Sequence, residues 1–229
     1  MSLISAPALA AKLFAPNLKI LDARFSLADA ALGRNEYLHS HVRGAQYMDL
    51  NADLSGPKTD ARLGRHPLPS PAHWQTVLER LGIRPEHEVV IYDQADGAMA
   101  AARAWFLFVL AGHENVTVLN GGMNAWLALD LPTGSVIAEP EFSHYPVHFR
   151  MQRLIAEAEL KIRIRDPDAL LLDARAPERF RGELEPLDRK AGHIPGAVNR
   201  SYAQNLENGL FKSPDTLRAE FEALADSRK

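Results

Sequence analysis

The chain has 229 residues, of which 46% are hydrophobic and 24% charged, with 26 Lys and Arg against 29 Asp and Glu for a formal charge of −3. That composition excludes a largely disordered or fibrous chain, and it lacks the basic excess that tracks a nucleic-acid backbone. Cysteine is absent from these residues, which excludes disulfides, thiolate metal sites and a cysteine nucleophile among them.

The first residues lack a basic region ahead of an apolar run, and Lys12 interrupts the only such run. They are read as a short amphipathic helix starting near a Ser5 cap rather than a secretory leader, and the protein as cytoplasmic. Leu18–Asp22 reads as a short buried strand. Ser70-Pro71 opens a helix through Leu81, with Gly82 at its exit. Glu88–Asp93 is the strongest strand, followed by a helix over Gly97–Leu110, a strand at Val116–Leu119 and a helix at Met123–Leu129 after the Gly121-Gly122 turn. Strands alternating with helices imply parallel βαβ units, hence an α/β sheet covered on both faces. No apolar stretch approaches the ~20 residues of a membrane helix.

From Asp130 to Met151 the pattern breaks at Pro132, Gly134, Pro140 and Pro146, and the segment reads as a partly extended linker. Beyond it the sequence restarts. Ile20-Leu21-Asp22-Ala23-Arg24 recurs as Leu171-Leu172-Asp173-Ala174-Arg175, His41-Val42-Arg43-Gly44-Ala45 as His193-Ile194-Pro195-Gly196-Ala197, and Ser70-Pro71 as Ser213-Pro214. Three anchors in one order indicate an internal duplication of a domain of about 130 residues. The expected organisation is a first domain over 1–130, a linker over 131–151 and a second domain over 152–229. The repeat register puts the second copy's counterpart of the Glu88–Asp93 strand, with its following loop, beyond Lys229. The second copy is therefore expected to be an N-terminal half, exposing sheet edge and core surface that favour self-association.

Ligands of parallel α/β sheets bind at the carboxyl ends of strands, beside helix N-termini. In the first copy that place is Asp93-Gln94-Ala95-Asp96-Gly97, where Asp93 and Asp96 read as caps of the following helix. The spacing D-x-x-D is one residue longer than the D-x-D of aspartyl phosphotransferases. His39, His41 and His66 lack the spacing of a metal site, and His41 and His193 read as turn-stabilising. Neither a phosphate-binding glycine motif nor a serine-hydrolase elbow occurs. Trp74, Trp105 and Trp126 read as core. The segment after the second L-D-A-R is richer, with Arg175, Arg179, Arg181 and Arg189 crowded together. They either bind a small anion through paired hydrogen bonds or pair with Glu178, Glu183, Glu185 and Asp188.

The repeated L-D-A-R, the two H-x-x-G-A turns, R-H-P-L-P at Arg65–Pro69 and L-N-G-G-M-N-A-W at Leu119–Trp126 resemble the two-domain rhodaneses, the thiosulfate and 3-mercaptopyruvate sulfurtransferases. The resemblance covers nearly the whole chain. It implies tandem α/β rhodanese domains, of which the second is catalytic through a cysteine in C-x-x-G-[VS]-T. That cysteine carries sulfane sulfur as a persulfide to cyanide or a thiol, without a cofactor. Carried over, Arg179 falls on the arginine that binds the anionic end of the donor, and Arg189 near a further basic residue that holds a carboxylate. Asp173 organises the pocket, and Asp93 takes the cysteine's place in a non-catalytic first domain. These 229 residues supply no catalytic residue and are expected to be inactive alone. The alternatives are a non-catalytic rhodanese-homology binding module and a dual-specificity phosphatase of the same fold, the latter also dependent on cysteine.

Overall fold

The computed structural model describes residues 2–60 and 63–226, so Met1 of the N-terminal reading lies outside the described residues. It divides into two compact units, Met1–Met151 and Gln152–Lys229.

In the first unit, β1 (Leu3–Ile4) leads into α1 (Ala6–Ala10), whose cap is the Ser5 Oγ accepting the Ala8 N–H at 3.3 Å. There follow β2 (Leu18–Asp22), α2 (Leu32–His39), β3 (His41–Val42), β4 (Ala45–Tyr47), α3 (Pro71–Arg80) and β5 (Glu88–Tyr92). α4 (Ala100–Leu110), β6 (Val116–Leu119), α5 (Gly122–Leu127) and β7 (Thr133–Gly134) complete the unit. Five strands form one parallel sheet in the order β1-β6-β5-β2-β4. Because successive strand residues face opposite ways, Leu21, Val89, Ile91 and Val118 pack with Trp74 and Phe108 on one face. Ile20, Val90, Tyr92 and Leu119 pack with Leu9 and Trp126 on the other. Each fully buried large side chain contributes about 1.5–3 kcal/mol, which is why short, almost wholly apolar strands suffice.

Two helices differ from expectation. α4 begins at Ala100 rather than Gly97 because the intervening turn places Asp96 and Gly97 at φ 60° and 83°, outside helical geometry. α5 occupies Gly122–Leu127 rather than Met123–Leu129. Residues 131–151, expected to be a linker, carry no α-helix but are fastened to the first unit. β7 pairs antiparallel with β3, the Ser143 hydroxyl donates to the Ile83 carbonyl at 2.6 Å, and Tyr145 and Val147 join the core.

The second unit contains α6 (Glu157–Arg163), β8 (Leu172–Asp173), α7 (Pro177–Arg181), β9 (Val198–Asn199), the hairpin β10 (Leu206–Glu207) and β11 (Leu210–Phe211), and α8 (Pro214–Asp226). The sequence repeat is also a structural one. Leu21 opposite Gln46 and Asp22 opposite Tyr47 in the first unit become Leu172 opposite Val198 and Asp173 opposite Asn199 in the second. The Ser70 Oγ accepts the His73 N–H at 3.1 Å, as the Ser213 Oγ accepts that of Thr216. Among the described residues the second unit has no buried apolar side chain, whereas Ile162, Leu184 and Ile194 are exposed. In the first unit, β5 and its flanking helices supply that cover.

Candidate active site

The carboxyl end of β8 is built around Asp173. Its Oδ1 accepts the backbone N–H and the Nε–H of Arg175, both at 3.0 Å, and its Oδ2 accepts the Nε–H at 3.1 Å. Hydrogen bonding from Arg175 holds the Asp173 carboxyl below the usual carboxylate range. Nη2, which also bonds Asp173, donates to the Gly192 carbonyl at 2.7 Å, so Arg175 ties the strand end to the loop after α7. Asn199 adds hydrogen bonds to the carbonyls of Asp173 and Arg175 at 3.0 and 2.9 Å, fixing β9 to the same corner.

One turn further on, α7 presents Arg179. Pro177 starts this helix, and Gly182 closes it at φ 79°. Arg179 donates to both Glu185 oxygens, from Nη2 at 2.9 and 3.1 Å and from Nε at 3.2 Å, and from Nη2 to Asp188 at 2.9 Å. Glu185 in turn accepts the N–H groups of Leu187 and Asp188 at 3.0 Å, and these bonds, that from Arg179 above all, lower its pKa. Arg181 pairs with Glu183 at 2.7 Å. Three of the four arginines therefore have carboxylate partners, while Arg189 is exposed and has no ion pair among the described residues. Asp173 and Arg179 are neighbours through Arg175, whose guanidinium lies 3.5 Å from Glu185.

In the first unit the same corner is fully buried. Arg24 donates to Asp22 from Nε at 2.9 and 3.1 Å and from Nη2 at 2.7 Å, and also reaches the Ser40 carbonyl. The Tyr92 hydroxyl, from β5, donates to Asp22 at 2.6 Å, and burial pushes its pKa well up. Asp93 follows directly. Its Oδ1 accepts the Gly97 N–H at 2.8 Å and its Oδ2 those of Met99 and Ala101 at 3.2 and 2.9 Å. The turn is tight because the Asp93 carbonyl accepts the Met123 N–H at 2.8 Å, and a Cβ on Gly122 would lie 2.3 Å from that carbonyl oxygen. Burial raises the Asp93 pKa while the N–H groups oppose it. Asp93 thus caps α4 as expected. Asp96 does not; it accepts a bond from the Asn124 amide at 3.2 Å instead.

The histidines fall as read from sequence. His41 is buried with Nδ1 2.7 Å from the Tyr37 carbonyl oxygen, and His193 stands in the same relation to Phe180. His66 lies 3.2 Å from the Asn51 side-chain oxygen. No group of three metal-ligating side chains gathers among the described residues, and no helix there is long and apolar enough to cross a membrane. Sequence reasoning singled out neither Glu185 as the residue that organises both arginines nor Tyr92 as a partner of Asp22. Glu185 was one acid among four, and only the fold selects it.

The description "Rhodanese-like domain" matches residues 5–129 and 156–229. The chain is 42% identical over 231 aligned residues to the Pseudomonas aeruginosa protein named "Probable 3-mercaptopyruvate sulfurtransferase", covering 99% of this chain and 80% of that one. It is 34% identical to human 3-mercaptopyruvate sulfurtransferase, over 96% of this chain and 76% of the relative. The crystal structure of SseA from Escherichia coli, described among 3-mercaptopyruvate sulfotransferases of "rhodanese" fold, superposes with a TM-score of 0.85 at 28% identity, over 97% of this chain and 84% of that one. A duplicated α/β unit, matched twice along its length and nearly throughout by sulfurtransferases, places this chain in the rhodanese-like family as a tandem of two such domains.

Proposed function

We propose that these residues form the frame and the donor-binding corner of a sulfurtransferase that moves sulfane sulfur from 3-mercaptopyruvate or thiosulfate to a thiol or cyanide. The observation that carries this reading is the arginine-rich corner at the end of β8, where Arg179 is joined through Glu185 to the Arg175–Asp173 pair of the strand end. Guanidinium groups suit a carboxylate or thiosulfonate end because they offer paired, charge-assisted donors. Asp188, the more exposed of the two acids on Arg179, is the partner a donor anion displaces, while Glu185 keeps the guanidinium in place.

The chemistry needs a thiolate to attack the sulfane sulfur and carry it as a persulfide. None of the 229 residues is a cysteine, so these residues by themselves do not supply that thiolate. The three N–H groups converging on Asp93 illustrate how the fold's strand-to-helix loop holds an anion, the arrangement that lowers a thiol's pKa. The exposed Ile162, Leu184 and Ile194 favour self-association of the isolated chain, and its composition suits the cytoplasm.

The test has two parts. Thiosulfate and cyanide should give no thiocyanate with these residues alone, and calorimetry should show donor binding that Arg179→Ala removes. Donor binding that ignores Arg179 would overturn the assignment. The absence of cysteine favours one other reading, a binding module without catalysis. An in-frame stop after the Lys229 codon, with no donor binding, would establish it.

A further inference from the structure

The two units can be aligned by one conserved contact geometry. In the first, the rings of Tyr37 and His41 stack at 4.2 Å and 18°, with His41 Nδ1 2.7 Å from the Tyr37 carbonyl oxygen. In the second, Phe180 and His193 stack at 3.7 Å and 13°, with the same 2.7 Å contact. Tyr37 and Phe180 are therefore equivalent, and the residues before them, Glu36 and Arg179, occupy the same helical position. The carboxylate of Glu36 lies 3.8 Å from Arg24, as Glu185 lies 3.5 Å from the equivalent Arg175. Where the second unit has a cation, the first has an anion.

That substitution borders a cavity of about 500 Å³ just past the ends of β2 and β5, where open α/β sheets take their ligands. Arg24 lines it, with Nε and Nη2 engaged by Asp22 and the Ser40 carbonyl and Nη1 facing Glu36. Glu36, by contrast, has only the long 3.8 Å contact, and its side chain is 39% exposed. Two further oxygen acceptors line the same cavity, the side-chain carbonyls of Asn35 and Asn124. Neither accepts a hydrogen bond among the described residues, although the Asn124 amide nitrogen is engaged by the Gln94 carbonyl and Asp96. Met123 and Leu127 supply an apolar wall. One half-exposed carboxylate whose cation contact is the long 3.8 Å approach of Arg24, two amide oxygens and a hydrocarbon surface complement a group with several N–H donors, a positive charge and a short alkyl body.

We infer that this cavity of the first domain binds small primary-ammonium compounds. It is a cation-selective counterpart of the anion-binding corner in the second domain. The contrast with Arg179 rests on the donor-site reading above; the cavity and its free acceptors do not. The ammonium donates to Glu36 and to the Asn35 and Asn124 oxygens, and its alkyl chain lies on Met123 and Leu127.

The test uses the full chain, labelled with ¹⁵N and titrated at neutral pH with n-butylammonium chloride and, separately, sodium n-butyrate. Saturable shifts confined to the amides of 35–40, 94 and 123–127 are expected with butylammonium only. Glu36→Gln, which keeps shape and removes charge, should weaken binding about fivefold or more. Glu36→Arg should reverse the preference toward butyrate. Equal response to both compounds, no saturation, or butylammonium binding indifferent to Glu36→Gln would overturn the inference. Because Arg179 lies in the other domain, Arg179→Ala should leave this titration unchanged even if donor binding fails.

Discussion

Arg24 and Asp22 form a bidentate ion pair whose side chains are 7% and 0% exposed, and the equivalent Arg175 and Asp173 repeat it at 28% and 13%. The same interaction exists at two levels of burial within one chain. Replacing Arg24 with Met strands a carboxylate in the core and should destabilise the first unit by about 3–5 kcal/mol. Arg175→Met should cost about 1 kcal/mol, since water reaches its partner. Trp74, Trp105 and Trp126 all lie in the first unit, so urea melts followed by tryptophan fluorescence report Arg24→Met. Amide exchange in the second unit reports Arg175→Met. Equal costs would contradict the burial argument.

Acid should weaken the second unit more than the first, where the lowered pKa of Glu79 is opposed by the raised one of Asp93. In the second, Asp173 and Glu185 have lowered folded pKa values. Their contribution is present above the unfolded carboxyl pKa, about 4, and is lost as pH falls through the folded values. Asp93 in the first unit is raised instead, so it favours the folded state increasingly as pH falls from its folded pKa toward the unfolded one. Amide exchange measured during acid titration should show the second unit opening before the first. Simultaneous opening would count against it.

Gly122→Ala should be poorly tolerated. The residue sits at φ 55°, and the new Cβ would meet the Asp93 carbonyl oxygen at 2.3 Å. Strain of this kind costs about 2 kcal/mol or more. A thermal melt should show the loss, and amide spectra should show changes at residues 93–101, where the loop is displaced. An unchanged melting temperature would mean the turn relaxes freely.

Arg179→Lys should fail to restore donor binding lost in Arg179→Ala. A lysine ammonium cannot span both oxygens of Glu185 as the guanidinium does at 2.9 and 3.2 Å. Calorimetry with 3-mercaptopyruvate should show about tenfold weaker binding or worse in both variants. Full binding by the lysine variant would reduce the role of Arg179 to simple charge.

Much of the fold is written in local chemistry. β2, β5 and β6 are apolar runs too short for helices, and α3 carries its Ser70 cap and Pro71 start openly. β1, β3 and β4 are two or three residues long and gain their identity only from partners distant in sequence, so no periodicity announces them. α2 lacks a side-chain cap and has weak amphipathic pattern, which hides it. The start of α4 was misplaced because Asp93 reaches forward across the turn to cap Ala101, a tertiary choice rather than a propensity. At the site, the repeated D-A-R motif identified the strand end, but not that Arg175 is spent on Asp173 and Gly192. Residues 131–151 carry loop composition, and what pins them is the burial of Tyr145 beside His113, 2.8 Å from ring nitrogen to hydroxyl.

The carboxylate of Asp93, tethered inside its own ring of N–H donors, behaves as a ligand at a local concentration set by one side chain's reach. Dissolved sulfate, phosphate or thiosulfate must compete with it intramolecularly and cannot win at ordinary concentrations. The first domain's strand-to-helix cradle is thereby closed to free anions, so sulfur donors should titrate with one site per chain, at the Arg179 corner, rather than two.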